Sequence, residues 1–297
     1  MSQSRDSDAG SEQGLWRRLR SRWYVRIAPV VVAVLVAVVV VSGVPWAPVD
    51  RIMARAVPSA PAQSGASGSP EPTAATPTPT QPTGRYAARL PRFPAPPAPQ
   101  PVTVPDGPSA AWYSRIPTTQ PVAFITIDDG WVKHPEAREL LAAAGVPVTL
   151  FLTIDSIKDN PGYFRQLQSD RVTIEAHTIS HPSLRGKSYD LQRRELCGSA
   201  DKLGDWYGRR PVFFRPPFGN KDATTLRAAR DCGMKAGFFW TETVHEGKVR
   251  YQRGKTVQAG DILLMHFRPA FVEDFIAALV AIHKAGLTPA LLSDYVR

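Results

Sequence analysis

Hydrophobic and polar positions divide the chain into three stretches. Residues 27–49 are uncharged, and their centre contains only Val, Ala and Leu. Residues 57–110 hold 15 of the 29 prolines and have no amphipathic period. From residue 112 onward, short apolar runs alternate with amphipathic ones, which is typical of a globular domain.

The third stretch predicts alternating strands and helices. The predicted strands are 122–127, 148–152, 172–176, 212–214, 236–240, 262–265 and 289–292. The predicted helices are 135–144, 161–168, 191–207, 223–232 and 272–285. This alternation predicts an α/β fold with a parallel sheet or barrel and helices outside it. Roughly 185 residues are few for an eight-fold barrel, so we expect a reduced or open one.

The first stretch predicts a membrane anchor. An apolar run of about 20 residues is long enough to cross a bilayer as a helix. Five arginines precede it and favour a cytoplasmic N-terminus, namely Arg17, Arg18, Arg20, Arg22 and Arg26. We therefore predict a cytoplasmic basic tail at 1–26 and a single transmembrane helix at 27–49, with the rest outside the cytoplasm at the cell membrane. A cleaved secretory signal with a weak site at 53–56 is the alternative.

The second stretch predicts a disordered, extended Pro-rich linker at 50–111, followed by the globular domain at 112–297. The formal charge of +10 is shared about equally between residues 1–110 and 111–297. In the first part the excess comes from the arginine cluster before the apolar run. No basic stripe interleaved with aromatic residues appears, so we predict no nucleic-acid partner.

Two adjacent carboxylates, Asp128 and Asp129, follow the strand at 122–127. Strand neighbours point to opposite faces, so the pair can converge only if the backbone turns, which Gly130 permits. Adjacent carboxylates repel each other unless a cation or proton separates their roles. One could bind a metal while the other acts as a base. A turn with two solvated acids is the alternative interpretation.

Other polar groups follow other predicted strands. His177 and His181 come after the strand at 172–176, and with one carboxylate they supply the ligand set of a catalytic zinc-type site. Arg215 follows a third strand and can keep a carboxylate such as Asp128 ionised. His266 ends a fourth strand, where it can act as a general acid. In parallel α/β folds these strand ends share one face.

The four motifs are Asp-Asp-Gly, His-x-x-x-His, Arg-x-Pro-x-Gly and Leu-x-His. Their order and their positions at strand ends resemble the polysaccharide deacetylases of carbohydrate esterase family 4, over residues 120–295. The resemblance implies a distorted (β/α)7-type barrel and a catalytic domain at 112–297. It also implies metal-dependent hydrolysis of N-acetyl groups on a sugar polymer, with a divalent metal that is usually Zn²⁺.

The resemblance also implies a role for each matching residue. The metal ligands would be Asp129, His177 and His181. Asp128 would be the base that activates water, His266 the acid that protonates the leaving amine, and Arg215 the residue that holds Asp128. The backbone N–H of Phe218 would stabilise the oxyanion. Trp240 and Leu264 would line the pocket for the acetyl methyl group.

One family motif is altered. Thr243 stands where the family usually has an aspartate that tunes the acid histidine, and 246–247 reads Glu-Gly in place of Asp-Trp. Glu242 or Glu246 could replace that aspartate, and the sequence leaves both open. Trp131, directly after Asp-Asp-Gly, either stacks on a sugar ring or packs in the core.

Cys197 and Cys232 are the only cysteines, and each lies near the end of a predicted helix. Because both are predicted to lie outside the cytoplasm, we expect a disulfide between them. The expected substrate is a cell-envelope polysaccharide, either the N-acetylglucosamine of peptidoglycan or a chitin-like polymer. An O-acetyl polysaccharide esterase and a non-catalytic glycan-binding surface protein are the alternatives.

Overall fold

The computed structural model describes residues 79–169 and 171–297. The predicted tail at 1–26, the predicted transmembrane helix at 27–49 and the first part of the predicted linker lie outside the described residues. Within the described residues, no helix combines the length and the apolar character that crossing a membrane requires.

The described residues form a sheet surrounded by helices. The strands are β1 (Ala111–Tyr113), β2 (Val122–Asp129), β3 (Val148–Leu152), β4 (Val172–Ala176), β5 (Phe213–Phe214), β6 (Ala236–Phe238), β7 (Glu242–His245), β8 (Lys248–Tyr251), β9 (Ile262–His266) and β10 (Thr288–Pro289). The helices are α1 (Ala137–Ala144), α2 (Ile154–Ile157), α3 (Pro161–Arg165), α4 (Tyr189–Tyr207), α5 (Ala223–Asp231), α6 (Phe271–Lys284) and α7 (Leu292–Tyr295). Two 3-10 turns lie at Gly84–Tyr86 and Pro217–Gly219.

The strand order is β1-β6-β5-β4-β3-β2-β9-β7-β8, and β10 pairs with β2. All neighbouring pairs are parallel except the β7–β8 hairpin. In the described part of the chain the sheet has two edges, β1 and β8. The sheet is therefore a curled half-barrel, which agrees with the expected α/β fold and its reduced or open barrel.

Strand β2 shows why the sheet has an inner and an outer core. Side chains alternate between the faces of a strand. Ile125 and Ile127 pack under the helices in the larger apolar cluster. Val122 and Phe124 belong to a second cluster inside the half-barrel. Tyr295 of α7 closes the lower end of this inner core, with its ring 5.3 Å from that of Phe124.

The residues predicted to form a linker are partly folded. Tyr86, Leu90 and Phe93 are buried in the outer core, and the N–H of Thr83 donates to the carbonyl of Ala143 at the end of α1 over 3.1 Å. The structure therefore differs from the predicted linker at residues 79–111. Apolar residues three or four apart supply a buried face there that the many prolines obscure.

The two cysteines are joined. The Sγ atoms of Cys197 and Cys232 lie 2.06 Å apart, which connects the middle of α4 to the residue that follows α5. Both helices pack on the outer side of the sheet, and Cys232 is buried in the outer core.

Candidate metal centre and active site

A backbone turn at the end of β2 brings the carboxylates of Asp128 and Asp129 to the same end of the sheet, beside His177. Asp129 adopts a φ of 76° and Gly130 a φ of 100°, so the alternation of β2 is broken at Asp129. One carboxylate oxygen of Asp129, Oδ1, lies 3.4 Å from His177 Nε2 and 3.2 Å from His181 Nε2. Asp128 Oδ2 lies 3.7 Å from His177 Nε2. The turn that the sequence required is present, but Asp129 makes it together with Gly130.

The two histidines lie on a compact loop after β4. Thr178 and His181 both adopt a positive φ, of 71° and 60°, and the N–H of His181 donates to Thr178 Oγ1 over 3.1 Å. Glu195 of α4 accepts hydrogen bonds from the backbone N–H groups of residues 179 and 180, over 2.9 Å each. A non-glycine residue with a positive φ is uncommon, so this loop is held in its shape by hydrogen bonds from its surroundings.

The ring of His177 is oriented by a backbone carbonyl. His177 Nδ1 lies 2.7 Å from the carbonyl oxygen of Arg215, and it must be the donor in this contact. Nε2 then carries the lone pair and faces Asp129. A hydrogen bond from the other ring nitrogen fixes the tautomer of most metal-binding histidines in this way.

The donor set of Asp129, His177 and His181 fits a divalent cation. Their ligand atoms lie within 4.8 Å of one another, and Asp129 Oδ1 is buried with no hydrogen-bond partner among the described residues. Two imidazole nitrogens and one carboxylate oxygen are the ligands of catalytic zinc sites, which keep further positions for water.

The electrostatics of this centre favour a positive charge. Burial opposes ionisation of Asp129, but contacts with His177 and His181 outweigh it and hold the pKa of Asp129 well below its usual range. Burial also disfavours a charged His177, but the carboxylates of Asp128 and Asp129 outweigh that effect and raise the pKa of His177. A proton or a metal ion between these groups satisfies the same demand.

Arg215 is fully buried and uses its whole guanidinium group. Nη1 donates to Asp128 Oδ1 over 2.7 Å and to Thr126 Oγ1 over 2.8 Å. Nε and Nη2 donate to the carbonyls of Phe238 and Phe239 over 3.3 and 3.0 Å. Asp128 is therefore held in one orientation by a residue that cannot lose its charge.

His266 lies in register with Asp128 on the neighbouring strand. Burial lowers the pKa of His266 to about 4, the negative charge of Asp128 opposes this, and the positive charge of Arg268 adds to it. Glu242 instead accepts a hydrogen bond from Thr241 over 2.6 Å and lies beside Asp261. The Glu246 side chain is 71% exposed. Neither glutamate acts on His266 as the usual aspartate would.

The three remaining predicted residues lie around this centre. Phe218 has a φ of 61° and its ring lies 4.8 Å from that of His181. Leu264 is buried on the same face of β9 as His266. Trp240 stacks on Phe239 at 4.0 Å and lies 5.7 Å from the Arg215 guanidinium. The structure thus brings Phe218 to the mouth and Leu264 below it, while Trp240 forms the wall behind Arg215.

Two supporting residues were not predicted from the sequence. Thr126 shares Arg215 Nη1 with Asp128, and Glu195 holds the histidine loop. The sequence could have indicated the role of Thr126, because this residue lies two positions before Asp128 and therefore on the same face of the strand. Glu195 had none, since it is one of many charged residues on α4.

Comparison with known proteins supports the resemblance. A protein of Streptomyces coelicolor, described as uncharacterized, is 40% identical over 151 residues, which cover 50% of this chain and 61% of that protein. The peptidoglycan-N-acetylmuramic acid deacetylase PdaA of Bacillus subtilis is 25% identical over 141 residues, 46% of this chain and 53% of that protein. The chain thus spans little more than half the length of these two relatives.

Solved structures share the fold. BA3943 of Bacillus anthracis, a family 4 carbohydrate esterase pseudoenzyme, matches with a TM-score of 0.56 and 20% identity over 64% of this chain and 71% of that one. The structure of PdaA matches with a TM-score of 0.52 and 22% identity over 63% of this chain and 84% of that one. The family profile described as polysaccharide deacetylase matches residues 115–237. Over these residues the chain therefore resembles the polysaccharide deacetylase family.

Proposed function

We propose that this chain is a metal-dependent hydrolase that removes N-acetyl groups from a cell-wall polysaccharide. The observation that carries the proposal is the convergence of Asp128, Asp129, His177, His181 and His266 at one end of the sheet. Relatives that act on peptidoglycan N-acetylglucosamine or N-acetylmuramic acid support that polymer as the substrate.

Asp129, His177 and His181 would hold the metal, for which we propose Zn²⁺. Such an ion polarises a carbonyl group and lowers the pKa of bound water. Asp128, fixed by Arg215, accepts the proton of the attacking water. His266, across from Asp128, donates a proton to the leaving nitrogen, for which it must first be protonated. The N–H of Phe218 donates to the oxyanion.

The altered fourth motif favours a second candidate, an O-acetyl polysaccharide esterase. Because the pKa of His266 is low, only a small fraction of this histidine is protonated at neutral pH. An alkoxide leaving group depends less on a proton from His266 than an amine does. The same metal ligands and the same base serve both reactions. The fold alone decides nothing here, because the similar BA3943 is a pseudoenzyme.

Acetate release tests the proposal. The zinc-loaded chain, incubated with N-acetylated peptidoglycan, should release acetate and leave free amino groups, which distinguishes the amide from the ester reaction. Asp128→Asn should retain bound zinc but lose at least about 100-fold in rate, as expected for a general base. Asp129→Ala should lose the zinc itself. If the parent chain, with zinc bound, showed no difference in acetate release from Asp128→Asn, the result would contradict the proposal and favour a glycan-binding protein.

We also propose that residues 27–49 anchor the domain in the membrane with the N-terminus in the cytoplasm. Support comes from the uncharged apolar run and the arginines before it. Membrane fractionation tests it: the full chain should sediment with membranes, and a chain lacking residues 1–49 should not. A mature N-terminus near residue 57 would favour the cleaved signal instead.

A further inference from the structure

The loop at residues 177–181, which begins and ends with a histidine of the metal centre, has an uncommon backbone. Thr178 and His181 lie in the left-handed region, with φ of 71° and 60°. For residues other than glycine this conformation is uncommon and persists only where the surrounding structure imposes it. His181 Nε2 lies 3.2 Å from Asp129 Oδ1. The shape of the loop therefore decides whether His181 reaches the metal centre.

One buried side chain from outside the loop holds its middle. Glu195 of α4 is buried, and its three side-chain hydrogen bonds all go to the loop. Oε2 accepts from the backbone N–H groups of Ile179 and Ser180 over 2.9 Å each. Oε1 accepts from the hydroxyl of Ser180 over 2.8 Å. Because these two residues lie between His177 and His181, the carboxylate fixes the connection between the two histidines.

Backbone contacts hold the loop from a second side, through its carbonyl groups. The carbonyl of Thr178 accepts a hydrogen bond from the N–H of Ile154 over 3.2 Å. The carbonyl of Ile179 accepts one from the N–H of Asp155 over 2.9 Å. These contacts leave the two backbone N–H groups that Glu195 accepts without another acceptor. Backbone polar groups that lose a partner must find a new one, so the loop would change shape without Glu195.

Helix α4 is itself fixed against the loop. Gly198 lies one turn after Glu195, and a Cβ at Gly198 would lie 2.7 Å from Cδ1 of Ile179. The residue before Gly198 is Cys197, which is joined to Cys232 by the disulfide. Residues two apart on a helix do not share a face. The helix therefore approaches the loop closely with the face of Glu195 and is tied on another face to the end of α5.

We propose that Glu195 is a positioning residue that sets the affinity of the metal centre, because it keeps His181 within reach of Asp129 and His177. This inference rests on the proposed function for the presence of a divalent metal. A loop released from Glu195 adopts the metal-binding shape only part of the time, and the apparent affinity falls by that fraction. Glu195 acts through the position of its two oxygen atoms and not through its charge.

Zinc affinity of the full chain, measured by competition with a chelator, tests the proposal. Glu195→Met keeps the length of the side chain without a strong acceptor. It should weaken zinc binding about 10- to 100-fold, the usual effect of losing a group that orients a metal ligand. Glu195→Gln, the matched control, keeps an oxygen for both N–H groups and should keep most of the affinity. Glu195→Asp keeps the charge but draws it back by one methylene, so it should bind zinc more weakly than Glu195→Gln.

A cobalt spectrum and thermal melting separate this role from a purely structural one. With Co²⁺ in place of zinc, the visible absorption bands depend on the ligands and their geometry. The bands should match those of the parent in Glu195→Gln and differ in Glu195→Met. A purely structural role would lower the melting temperature of the metal-free chain and leave the zinc affinity and the cobalt spectrum unchanged. If Glu195→Met does not fold, the comparison of Glu195→Asp with Glu195→Gln decides.

The outcomes separate Glu195 from the metal centre and from the chemistry. Parent-like zinc affinity in folded Glu195→Met and Glu195→Asp would overturn the role of Glu195 and leave the metal centre intact. Weaker binding in Glu195→Gln than in Glu195→Asp would also overturn it, because charge and not position would then matter. Weaker zinc binding in Glu195→Met, without acetate release by the parent, would support the role of Glu195 and end the deacetylase proposal. A parent chain that binds zinc no more tightly than Asp129→Ala would end both.

Discussion

At the scale of single residues, Arg215 is a position in the site where a substitution should cost the protein much of its stability. It is fully buried and pairs with Asp128, Thr126 and two backbone carbonyls. Its removal leaves a buried carboxylate without a partner, and this typically destabilises a protein by about 3–5 kcal/mol. The same contact orients the proposed base, so stability and activity depend on one side chain.

Arg215→Gln should therefore lower the free energy of unfolding by about 3 kcal/mol or more, as measured by urea denaturation. Arg215→Lys should also lose stability, because one ammonium group cannot serve four acceptors. The double variant with Asp128→Asn should lose less than the sum of the two single variants. Additive losses would show that the two residues are not energetically coupled.

Glu242 is a second buried acid, and it makes stability depend on pH. Burial raises the pKa of Glu242 to about 8, and nearby Asp261 adds to this. The ordinary pKa of a glutamate is about 4.3. Because the folded-state pKa is raised, the stability that protonation of Glu242 contributes is fully present below about pH 4, declines above it and is lost as the pH rises through about 8.

We expect the melting temperature to fall between pH 5 and pH 9, and Glu242→Gln should reduce this fall by at least roughly 2–4 °C, the equivalent of about 1 kcal/mol. Glu246→Gln is the control, because it lies on the same hairpin with an exposed side chain. Differential scanning calorimetry over the pH series measures both. Parallel curves for Glu242→Gln and the parent chain would contradict this account.

At the scale of elements, the disulfide connects two helices that also share side-chain hydrogen bonds, such as the one that Tyr189 donates to Asp231 over 2.6 Å. Cys197 lies in α4. Cys232 lies 35 positions later in the sequence, directly after the end of α5. Closing such a loop restricts the unfolded state and contributes about 3–4 kcal/mol on the chain-entropy account.

The double variant Cys197→Ala/Cys232→Ala should therefore unfold at a lower urea concentration, with a loss of about 3–4 kcal/mol. A reducing agent should lower the stability of the parent chain toward that of the variant. The variant itself should not respond to the reducing agent, which makes it the matched control. A parent chain that is equally stable with and without the reductant would refute the prediction.

The elements also show what the sequence pattern could predict. Strands β3 and β4 have the predicted bounds, 148–152 and 172–176, because short β-branched runs between turn residues give a strong local signal. The β7–β8 hairpin was missed, since its buried positions include Glu242, a residue that predicts exposure.

The candidate site, too, could be predicted only in part. Its residues could be named because strand ends carry their motifs. Their geometry could not, because the positive φ of Asp129 and the hydrogen bonds of the histidine loop depend on distant residues such as Ser156 and Glu195. Likewise, only the fold shows that neither glutamate takes the place of the missing aspartate, because Glu242 lies against Asp261 and the side chain of Glu246 is exposed.

At the scale of the whole molecule, the half-barrel depends on chain that precedes its first strand. Val102 pairs with Val296 beside the end of the chain, with the N–H of Val102 donating to the carbonyl of Tyr295 over 2.9 Å. Phe93 is buried, and its ring meets His283 of α6 at 5.8 Å. The described residues before β1 thus cover part of the outer core as well as an edge of the inner one.

A chain that begins at residue 112, the predicted domain boundary, should therefore be less stable than one that begins at residue 79. Phe93→Ala tests the same surface by one substitution and should lower the free energy of unfolding by about 3–5 kcal/mol, the usual effect of emptying a buried phenylalanine site. Arg92→Ala, at the exposed neighbouring position, should change it little. Urea denaturation of these chains measures their stability, and acetate release measures their activity. Together they show whether the segment before β1 affects only the stability of the fold or also the activity. If the chain from residue 112 unfolded at the same urea concentration as the chain from residue 79, the packed segment would be dispensable and the predicted linker would extend to β1 after all.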